Sequence, residues 1–185
     1  MKRIRIGGPA ALMAFPKNED ELAALLRAAS HCGVKPRILG AGTNVLAPDE
    51  GLDGLVICTK DCLLGLRALE GGRIEAMAGE TLAHAAVFAR GQSLTGFEFA
   101  HGIPGTVGGG VYMNAGAYGG EIAQVAEETT VLMADGTRRV LRGAEQAFAY
   151  RTSAFERMEC MIVKTVFALR PGDADEIGAR MRELM

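Results

Sequence analysis

The chain has 185 residues, of which 49% are hydrophobic and 23% charged, with 20 basic against 22 acidic side chains. This length suits one or two compact domains with a substantial hydrophobic core. The net charge of −2 argues against a nucleic-acid partner, because such a surface needs an excess of Lys and Arg. There is no run of 18 apolar residues and no secretory signal, so we expect neither a membrane span nor export.

The cysteines favour a reducing compartment. They lie at Cys32, Cys58, Cys62 and Cys160, and no pair has CxxC spacing. A chain of this size has little need of disulfides. We expect the four side chains to be reduced, buried small hydrophobes in a cytoplasmic protein, and we expect no metal site.

The first third of the chain predicts a β-α-β unit with one further strand. Residues 11–15 are apolar and suit a buried strand. Asn18 is a candidate helix N-cap with Glu21 as its capping-box partner, and Gly33 is a candidate helix stop. The further strands are predicted at 37–39 and 55–58.

The remainder predicts hairpins around helices, which is typical of an α+β domain. Turns at Glu70-Gly71-Gly72 and Asp135-Gly136 each join two strands. A helix is predicted to begin near Thr81, a long strand covers 160–169, and Asp173 or Asp175 caps a final helix. The helix near Thr81 would carry its apolar face on Leu82, Ala85, Ala86 and Ala89. We therefore predict an N-terminal unit at 1–62 and a second unit at 63–185.

The final helix has an apolar face but no visible end. Ile177, Met181 and Leu184 share helical spacing, yet the sequence stops at Met185 without a capping residue or glycine. Helices normally satisfy their last carbonyl groups. We expect that this helix is truncated and that the chain once continued.

Glycine concentrates in two regions, which indicates backbone that turns sharply or approaches a ligand closely. The first lies in the segment 39–46, where glycine N–H groups could face a phosphate and Thr43 and Asn44 add side-chain donors. The segment lacks the third glycine of a GxGxxG fingerprint and the Gly-Lys of a Walker A loop. A simple strand-ending turn is the alternative.

In the second region, from Gly102 to Gly120, eight of the 19 residues are glycine. Gly105–Gly110 could lead into a short helix whose free N–H groups suit an anion. Asn114–Gly120 then forms another tight loop. Two such separated loops suit a ligand with a pyrophosphate and two ends, such as a dinucleotide, whereas the alternative is a structural bend with helix packing on glycine.

The segment Tyr150-Arg151-Thr152-Ser153 combines several reactive groups. An Arg guanidinium can clamp a carboxylate or stabilise an enolate oxygen. Ser153 could donate or accept a proton, and Tyr150 could stack and hydrogen-bond. Taken alone, the segment is equally described as a solvated Arg beside a helix cap.

In this order, five segments resemble the family of UDP-N-acetylenolpyruvoylglucosamine reductases, which make a peptidoglycan precursor for the cell wall and so serve cell shape and division. The segments are 6–10 (Ile-Gly-Gly-Pro-Ala), 40–44, 102–109, 113–119 and 150–153. The resemblance implies an α+β fold of the vanillyl-alcohol-oxidase/PCMH type, in which two subdomains hold FAD without a covalent link. The family's C-terminal substrate domain would be absent here.

The resemblance also implies which residues contact FAD. On one side these are Leu39, Gly40, Ala41, Gly42, Thr43, Asn44, Val45 and Leu46. On the other side they are Gly102, Ile103, Pro104, Gly105, Thr106, Gly108, Gly109, Asn114, Ala115, Gly116, Ala117, Tyr118 and Gly119.

In the resembled family, hydride passes from NADPH through FAD to UDP-N-acetylglucosamine enolpyruvate. The resemblance implies that Arg151 stabilises the enolate that forms, and that Tyr150 and Ser153 contact the substrate. The sequence does not decide between NADPH and NADH. The family protonates the carbanion with a serine in a Gly-Ser-x-Phe-Lys-Asn-Pro context, and none of the three serines here follows a glycine. We therefore expect the isolated chain to bind FAD but to have little reductase activity.

Two alternatives remain open. The chain could be a free-standing FAD or nucleotide-binding module without reductase activity. It could also be another oxidoreductase of the same flavin fold, which would oxidise small alcohols or sugars and release peroxide.

Overall fold

The structure is a computed structural model that describes residues 7–185, so Ile6 of the first glycine motif lies outside the described residues. The helices are α1 (Glu19–His31), α2 (Leu82–Gly91), α3 (Val107–Tyr112) and α4 (Ala174–Glu183). The strands are β1 (Ala10–Ala14), β2 (Arg37–Leu39), β3 (Leu52–Cys58), β4 (Leu66–Leu69), β5 (Arg73–Met77), β6 (Leu94–Thr95), β7 (Gly116–Ala117), β8 (Gly120–Glu121), β9 (Ala126–Met133), β10 (Arg138–Arg142), β11 (Cys160–Ala168) and β12 (Arg170–Pro171).

Two main sheets confirm the predicted α+β class. The N-terminal sheet is parallel, with strand order β1-β3-β2. The second sheet is antiparallel, with strand order β10-β9-β11-β5-β4, and contains both predicted hairpins. Two short ribbons, β12-β6 and β7-β8, lie outside these sheets. The first glycine segment lies on the connection between β2 and β3 of the parallel sheet, whereas α3 and the second glycine segment lie on the connection between β5 and β9 of the antiparallel sheet.

The predicted ends of α1 are confirmed. The Asn18 Oδ1 atom accepts a hydrogen bond from the Glu21 N–H at 2.9 Å. The Glu21 carboxylate reaches back to the Lys17 N–H at 2.8 Å, one residue earlier than in the usual capping box. Gly33 follows the helix with φ +66°, a conformation that glycine adopts without steric cost.

The N-termini of α2 and α4 are capped by side chains in the same way. The Thr81 hydroxyl accepts from the His84 N–H at 3.0 Å, and the four predicted apolar residues of α2 are its buried ones. At α4, the Asp173 carboxylate accepts from the N–H groups of Asp175 and Glu176. Asp173 rather than Asp175 is therefore the cap.

The prediction that the first strand is buried is wrong. In β1, Leu12 is 61% exposed and Met13 41% exposed, and Phe15 just after the strand is 66% exposed. Among residues 7–185, β1 is an edge strand whose one partner is β3. An apolar run reports the propensity to form a strand, whereas burial depends on neighbours that lie far away in the sequence.

One hydrophobic cluster extends across the predicted boundary at residues 62 and 63. It joins Leu22 and Leu26 of α1 to Ile74 of β5 and Val131 of β9. The Arg138 guanidinium also contacts the Glu19 carboxylate at 2.9 and 3.2 Å, linking β10 to the start of α1. The division into 1–62 and 63–185 stays a prediction about chain organisation, and the two parts share a core.

Two structural features are missing from residues 7–185. No helix there is both long enough and apolar enough to cross a membrane. No three His, Cys, Asp or Glu side chains of that range converge where they could hold a metal ion.

The four cysteine thiols are free, but they are not uniformly buried as predicted. Cys62 is buried and Cys58 and Cys160 are half-buried, whereas Cys32 is exposed. Cys32 follows the last residue of α1, where the chain leaves the core. Burial raises the pKa of the Cys62 thiol, and burial raises the pKa of Cys160 to about 11 despite the nearby Arg139.

This difference predicts the order of alkylation. The thiolate is the reactive form, and a raised pKa lowers its fraction at about pH 8. On the folded protein we expect iodoacetamide to label Cys32 well before Cys160 and Cys62, because Cys32 is exposed. A time course by peptide mass spectrometry measures this, and denatured protein, in which all four thiols label at similar rates, is the control. Equal labelling of Cys32 and Cys160 in the folded protein would contradict the prediction.

Candidate functional site

The structure brings the glycine segments together. The Thr43 hydroxyl donates to the Pro104 carbonyl at 3.0 Å, and the Asn44 amide contacts the Met113 sulfur at 3.3 Å. Gly40 lies against Thr106 so closely that a Cβ on Gly40 would be 2.6 Å from the Thr106 hydroxyl oxygen. The loop that follows β2 is thus joined to both segments flanking α3.

The loop after β2 has the features of an anion cradle. Within residues 7–185, no backbone N–H from Gly40 through Leu46 donates to another segment of the chain, and Thr43-Asn44 forms a tight turn. Gly42 has φ +68°, a left-handed conformation of the kind that occurs in anion-binding backbone nests, and Val45 and Leu46 are exposed. Consecutive free N–H groups in such a loop form a nest that binds phosphate oxygens. That this loop holds a diphosphate, as the sequence suggested, stays a prediction.

The prediction of free N–H groups at the start of the short helix is wrong. The Val107 N–H donates to the Glu80 carbonyl at 2.7 Å, and the Gly108 N–H donates to the Ala78 carbonyl at 2.9 Å. The third N–H of the turn, at Gly109, contacts the Thr106 hydroxyl at 3.3 Å. These groups fasten α3 to the connection between β5 and α2.

The glycines of α3 also differ from one another in their surroundings. A Cβ on Gly108 would be 2.9 Å from the Ala78 Cβ, and one on Gly110 would be 2.9 Å from a Leu82 methyl group. Both positions are glycine because the helix packs tightly on its neighbours. The predicted FAD contact at Gly108 therefore faces the protein, whereas Gly109 is exposed.

Helix α3 connects the anion cradle to a second feature, the turn Tyr150-Arg151. Its N-cap, Thr106, lies against Gly40, and the carbonyl of its last residue, Tyr112, accepts from the Ser153 hydroxyl at 2.6 Å. Six residues of α-helix span about 9 Å at 1.5 Å per residue. A ligand held by its diphosphate in the cradle could therefore extend along α3 to this turn.

The turn presents two exposed side chains. The backbone groups of Ala149 and Thr152 bond to each other at 3.0 and 3.2 Å, which leaves Tyr150 and Arg151 at the tip. Tyr150 is 88% exposed, and Arg151 has φ +56°. A non-glycine residue with positive φ is uncommon, and such strain concentrates at functional sites.

A cleft of about 360 Å³ lies beside this turn. Its lining residues are Asn114, Gly116, Ala117, Tyr118, Gly119, Gly120, Glu121, Gln124, Tyr150 and Arg151. Arg151 is the one basic residue among them, and Glu121 is the one acidic residue. No thiol or imidazole lines this cleft within the described residues. The cleft can thus present a positive charge and two phenols to a polar ligand.

Several predicted site residues face inward instead. Asn114 is 2% exposed and both ends of its amide are bonded within the protein, to Ala149 and Ala123. Ser153 is 0% exposed, and its hydroxyl donates to Tyr112 and accepts from the Phe155 N–H. Ala115 is buried, and Ile103 packs against the core. Because the buried Ser153 hydroxyl makes its hydrogen bonds within the protein, the structure does not support its predicted contact with substrate.

The phenol of Tyr112 lies at the edge of this region. Partial burial raises the pKa of Tyr112, and the nearby carboxylate of Glu156 acts in the same direction. Glu156 itself accepts from the Thr152 hydroxyl at 2.6 Å. Tyr112 is thus a neutral hydrogen-bonding group at neutral pH.

The sequence prediction included Gly120 in the second glycine loop but missed Glu121 and Gln124 in the cleft. The Gln124 side chain accepts from the Glu121 N–H and donates to the Gly119 carbonyl, each at 3.3 Å. A Glu followed three residues later by Gln is a capping pattern, so the spacing did carry a signal. Gly120 packs under the Phe99 ring, where a Cβ would approach the ring to 2.5 Å.

Comparisons with known proteins identify the family of the chain. A sequence model of the family "FAD binding domain" matches residues 10–142. The UDP-N-acetylenolpyruvoylglucosamine reductase of Streptococcus uberis is 40% identical over 180 residues, covering 97% of this chain and 59% of that protein. The crystal structure of the corresponding reductase from Thermus caldophilus matches with a TM-score of 0.77 and 30% identity, over 93% of this chain and 60% of that one.

A more distant structure supports the fold alone. Glucooligosaccharide oxidase from Acremonium strictum, whose FAD is described as 6-S-cysteinyl and 8α-N1-histidyl, matches with a TM-score of 0.65 and 18% identity. The match covers 88% of this chain and 36% of the oxidase. Across these comparisons, the chain spans about 60% of the length of the curated reductases that it matches.

Proposed function

The chain belongs to the FAD binding domain family, and from this premise we propose that it is the FAD-binding part of a UDP-N-acetylenolpyruvoylglucosamine reductase. The observation that carries this function is the pairing of a diphosphate cradle at 40–46 with an exposed Tyr150-Arg151 turn, joined by α3. The similarity to reductases over 97% of the chain points the same way.

FAD would be held by backbone rather than by covalent attachment. The free N–H groups of residues 40–46 would bind the diphosphate oxygens, and the Asn44 amide, whose one partner is a weakly accepting sulfur, could add a donor. Gly105, Gly109, Tyr118 and Gly119 would border the cofactor from the opposite side. Among the described residues, the cleft lining includes neither the cysteine nor the histidine through which the FAD of the glucooligosaccharide oxidase is described as attached.

The substrate would be UDP-N-acetylglucosamine enolpyruvate, with NADPH as the reductant. FAD, when bound, would supply the chemistry for hydride transfer between the nicotinamide and the enol ether. Arg151 would then face the substrate carboxylate, where its permanent charge stabilises the enolate that forms beside it. Tyr150 would cover the sugar or its pyruvyl group from the tip of the turn.

The residues for the final proton transfer are not apparent in this chain. Ser153 is buried and bonded, and Ser30 and Ser93 lie outside the cleft lining. We therefore expect FAD binding with little reduction of the enolpyruvyl sugar by the isolated chain. A cytoplasmic location goes with this function, since free thiols persist in reducing compartments.

The visible absorption spectrum of the purified chain tests the cofactor site. Spectra are recorded as purified, and again after adding excess FAD and desalting. We expect a retained flavin band at about one FAD per chain, because the cradle is already formed. A colourless chain with a folded circular dichroism spectrum would overturn the FAD site. If FAD is retained and the full-length gene product does not oxidise NADPH with the enolpyruvyl sugar, the free-standing FAD module becomes the better description.

A further inference from the structure

Two buried side chains fasten the backbone on either side of the Tyr150-Arg151 turn. One is Asn114, which follows α3, and the other is Ser153, which follows the turn itself. Both were predicted from the sequence to contact a ligand directly. Their contacts show a different use for each.

The Asn114 amide bridges two segments of backbone. Its Nδ2 donates to the Ala149 carbonyl at 3.0 Å, and its Oδ1 accepts from the Ala123 N–H at 2.9 Å. The orientation of the amide is determined, because an N–H can only donate and a carbonyl can only accept. Ala149 immediately precedes the turn, and Ala123 follows β8 on the other side of the cleft. One buried amide thus sets the distance between the cleft walls.

Ser153 fixes the other end of the turn. Its hydroxyl donates to the carbonyl of Tyr112, the last residue of α3, at 2.6 Å. The side chain is 0% exposed, so the bond is sheltered from water. Asn114 thus holds the residue before the turn and Ser153 is held just after it, so the backbone on both sides of Tyr150 and Arg151 is fastened, to Asn114 and to the last residue of α3.

We propose that Asn114 and Ser153 are positioning residues that hold the Tyr150-Arg151 turn in place, an inference that rests on the proposed function only for its kinetic consequence. Arg151 has an exposed side chain and a positive φ, so its own surroundings do not fix it. The two tethers supply that constraint through the backbone. Displacing a charged group by about 1 Å from a reacting centre can cost about a hundredfold in rate.

Two substitutions at Asn114 separate the tether from the backbone conformation. Asn114 has φ +47°, which glycine adopts freely and which aspartate tolerates. Asn114→Gly keeps this conformation and removes both side-chain bonds. Asn114→Asp keeps an acceptor for the Ala123 N–H, but when ionised it offers no donor to the Ala149 carbonyl. Protonation of the aspartate restores the donor.

Limited trypsin digestion of the FAD-loaded, full-length gene product tests the tether without using activity. Trypsin needs a loosened segment, and the peptide bond after Arg151 lies in a turn closed by two backbone bonds. We expect Asn114→Gly to speed cleavage after Arg151 by about tenfold, because local opening becomes easier. Cleavage after Lys17, in the exposed segment before α1, is the internal control and should not change. Ser153→Ala should act in the same direction if Asn114→Gly fails to fold.

Steady-state kinetics of the same proteins tests the consequence. For Asn114→Gly we expect kcat to fall about tenfold or more at unchanged FAD content, with the same loss at every pH. For Asn114→Asp the loss in kcat should shrink as the pH is lowered, because the protonated carboxyl donates to Ala149 again. A merely structural role would not produce this difference between the two variants.

The trypsin digestion and the kinetics together distinguish failure of this proposal from failure of the proposed function. Unchanged cleavage after Arg151 in both Asn114→Gly and Ser153→Ala would overturn the proposal. Normal kcat in a variant whose turn is cleaved faster would also overturn it, because the turn would then need no fixed position. If the unmodified protein shows no reductase activity, the proposed function fails, and the trypsin arm alone decides whether the tethers exist.

Discussion

Replacing Arg151 with alanine in the full-length gene product should lower kcat by about a hundredfold to a thousandfold while leaving FAD content unchanged. The expectation follows from its place in the cleft, where Arg151 is the one basic lining residue and has an exposed side chain. Loss of a single preorganised donor to a developing oxyanion costs about 2.7–4 kcal/mol in comparable sites. The measurement is NADPH oxidation with the enolpyruvyl sugar, alongside the flavin absorbance of each preparation.

Three further variants isolate the cause of that loss. Arg151→Lys keeps the charge but not the planar fork, so we expect intermediate activity. Arg151→Gly relieves the positive φ, so it should leave stability unchanged or higher while activity still falls. Arg157→Ala is the matched control, because Arg157 is exposed nearby but does not line the cleft. If Arg151→Ala instead raises KM at unchanged kcat, Arg151 only binds substrate and the enolate role is wrong.

Local patterns predicted most of the secondary structure because they depend on neighbours in the sequence. The caps at Asn18, Thr81 and Asp173 each bind N–H groups two or three residues away. The two hairpins depend on glycine turns between alternating strands. Such interactions can be read from a short window, and all of them occur in the structure.

Tertiary contacts explain where the sequence prediction was wrong. β1 has the composition of a buried strand, but its edge position leaves Leu12 and Met13 exposed. The N–H groups at the start of α3 would be free in an isolated helix, yet Ala78 and Glu80 accept from two of them. In both cases the structural partners, β3 for β1 and the Ala78 and Glu80 carbonyls for α3, lie more than 20 residues away in the sequence.

The same limit applies to the candidate site. Glycine in a loop is ambiguous from sequence, because close packing and ligand approach both demand it. A Cβ on Gly108 would collide with Ala78, whereas a Cβ on Gly42 would meet no described atom closer than 3.8 Å. Likewise the buried roles of Asn114 and Ser153 depend on carbonyl acceptors at Ala149 and Tyr112, which the motif gives no means to foresee.

Replacing Gly40 with alanine should weaken FAD binding by about tenfold to a hundredfold. The added Cβ would lie 2.6 Å from the Thr106 hydroxyl, which is buried and caps α3, so it has little room to move. Overpacking of this kind costs about 1–3 kcal/mol, and about 1.4 kcal/mol changes a dissociation constant tenfold. The overpacking would push the cradle away from the segment 104–106 and so disturb the FAD site. Titration of the apoprotein with FAD, followed by flavin fluorescence, measures the change.

A double substitution shows whether that contact is the cause. Thr106→Ala removes the hydroxyl that meets the new Cβ, so in Gly40→Ala/Thr106→Ala the loops can close again at the cost of a helix cap worth about 1 kcal/mol. We expect the losses of FAD-binding free energy to be non-additive. The double variant should bind FAD more tightly than the sum of the two single losses predicts. Gly91→Ala is the control for replacing a glycine, because a Cβ there would meet no atom within 4 Å. If the two effects are strictly additive, the Cβ added at Gly40 meets the cofactor and not the Thr106 side chain. In that case α3 does not support the cradle.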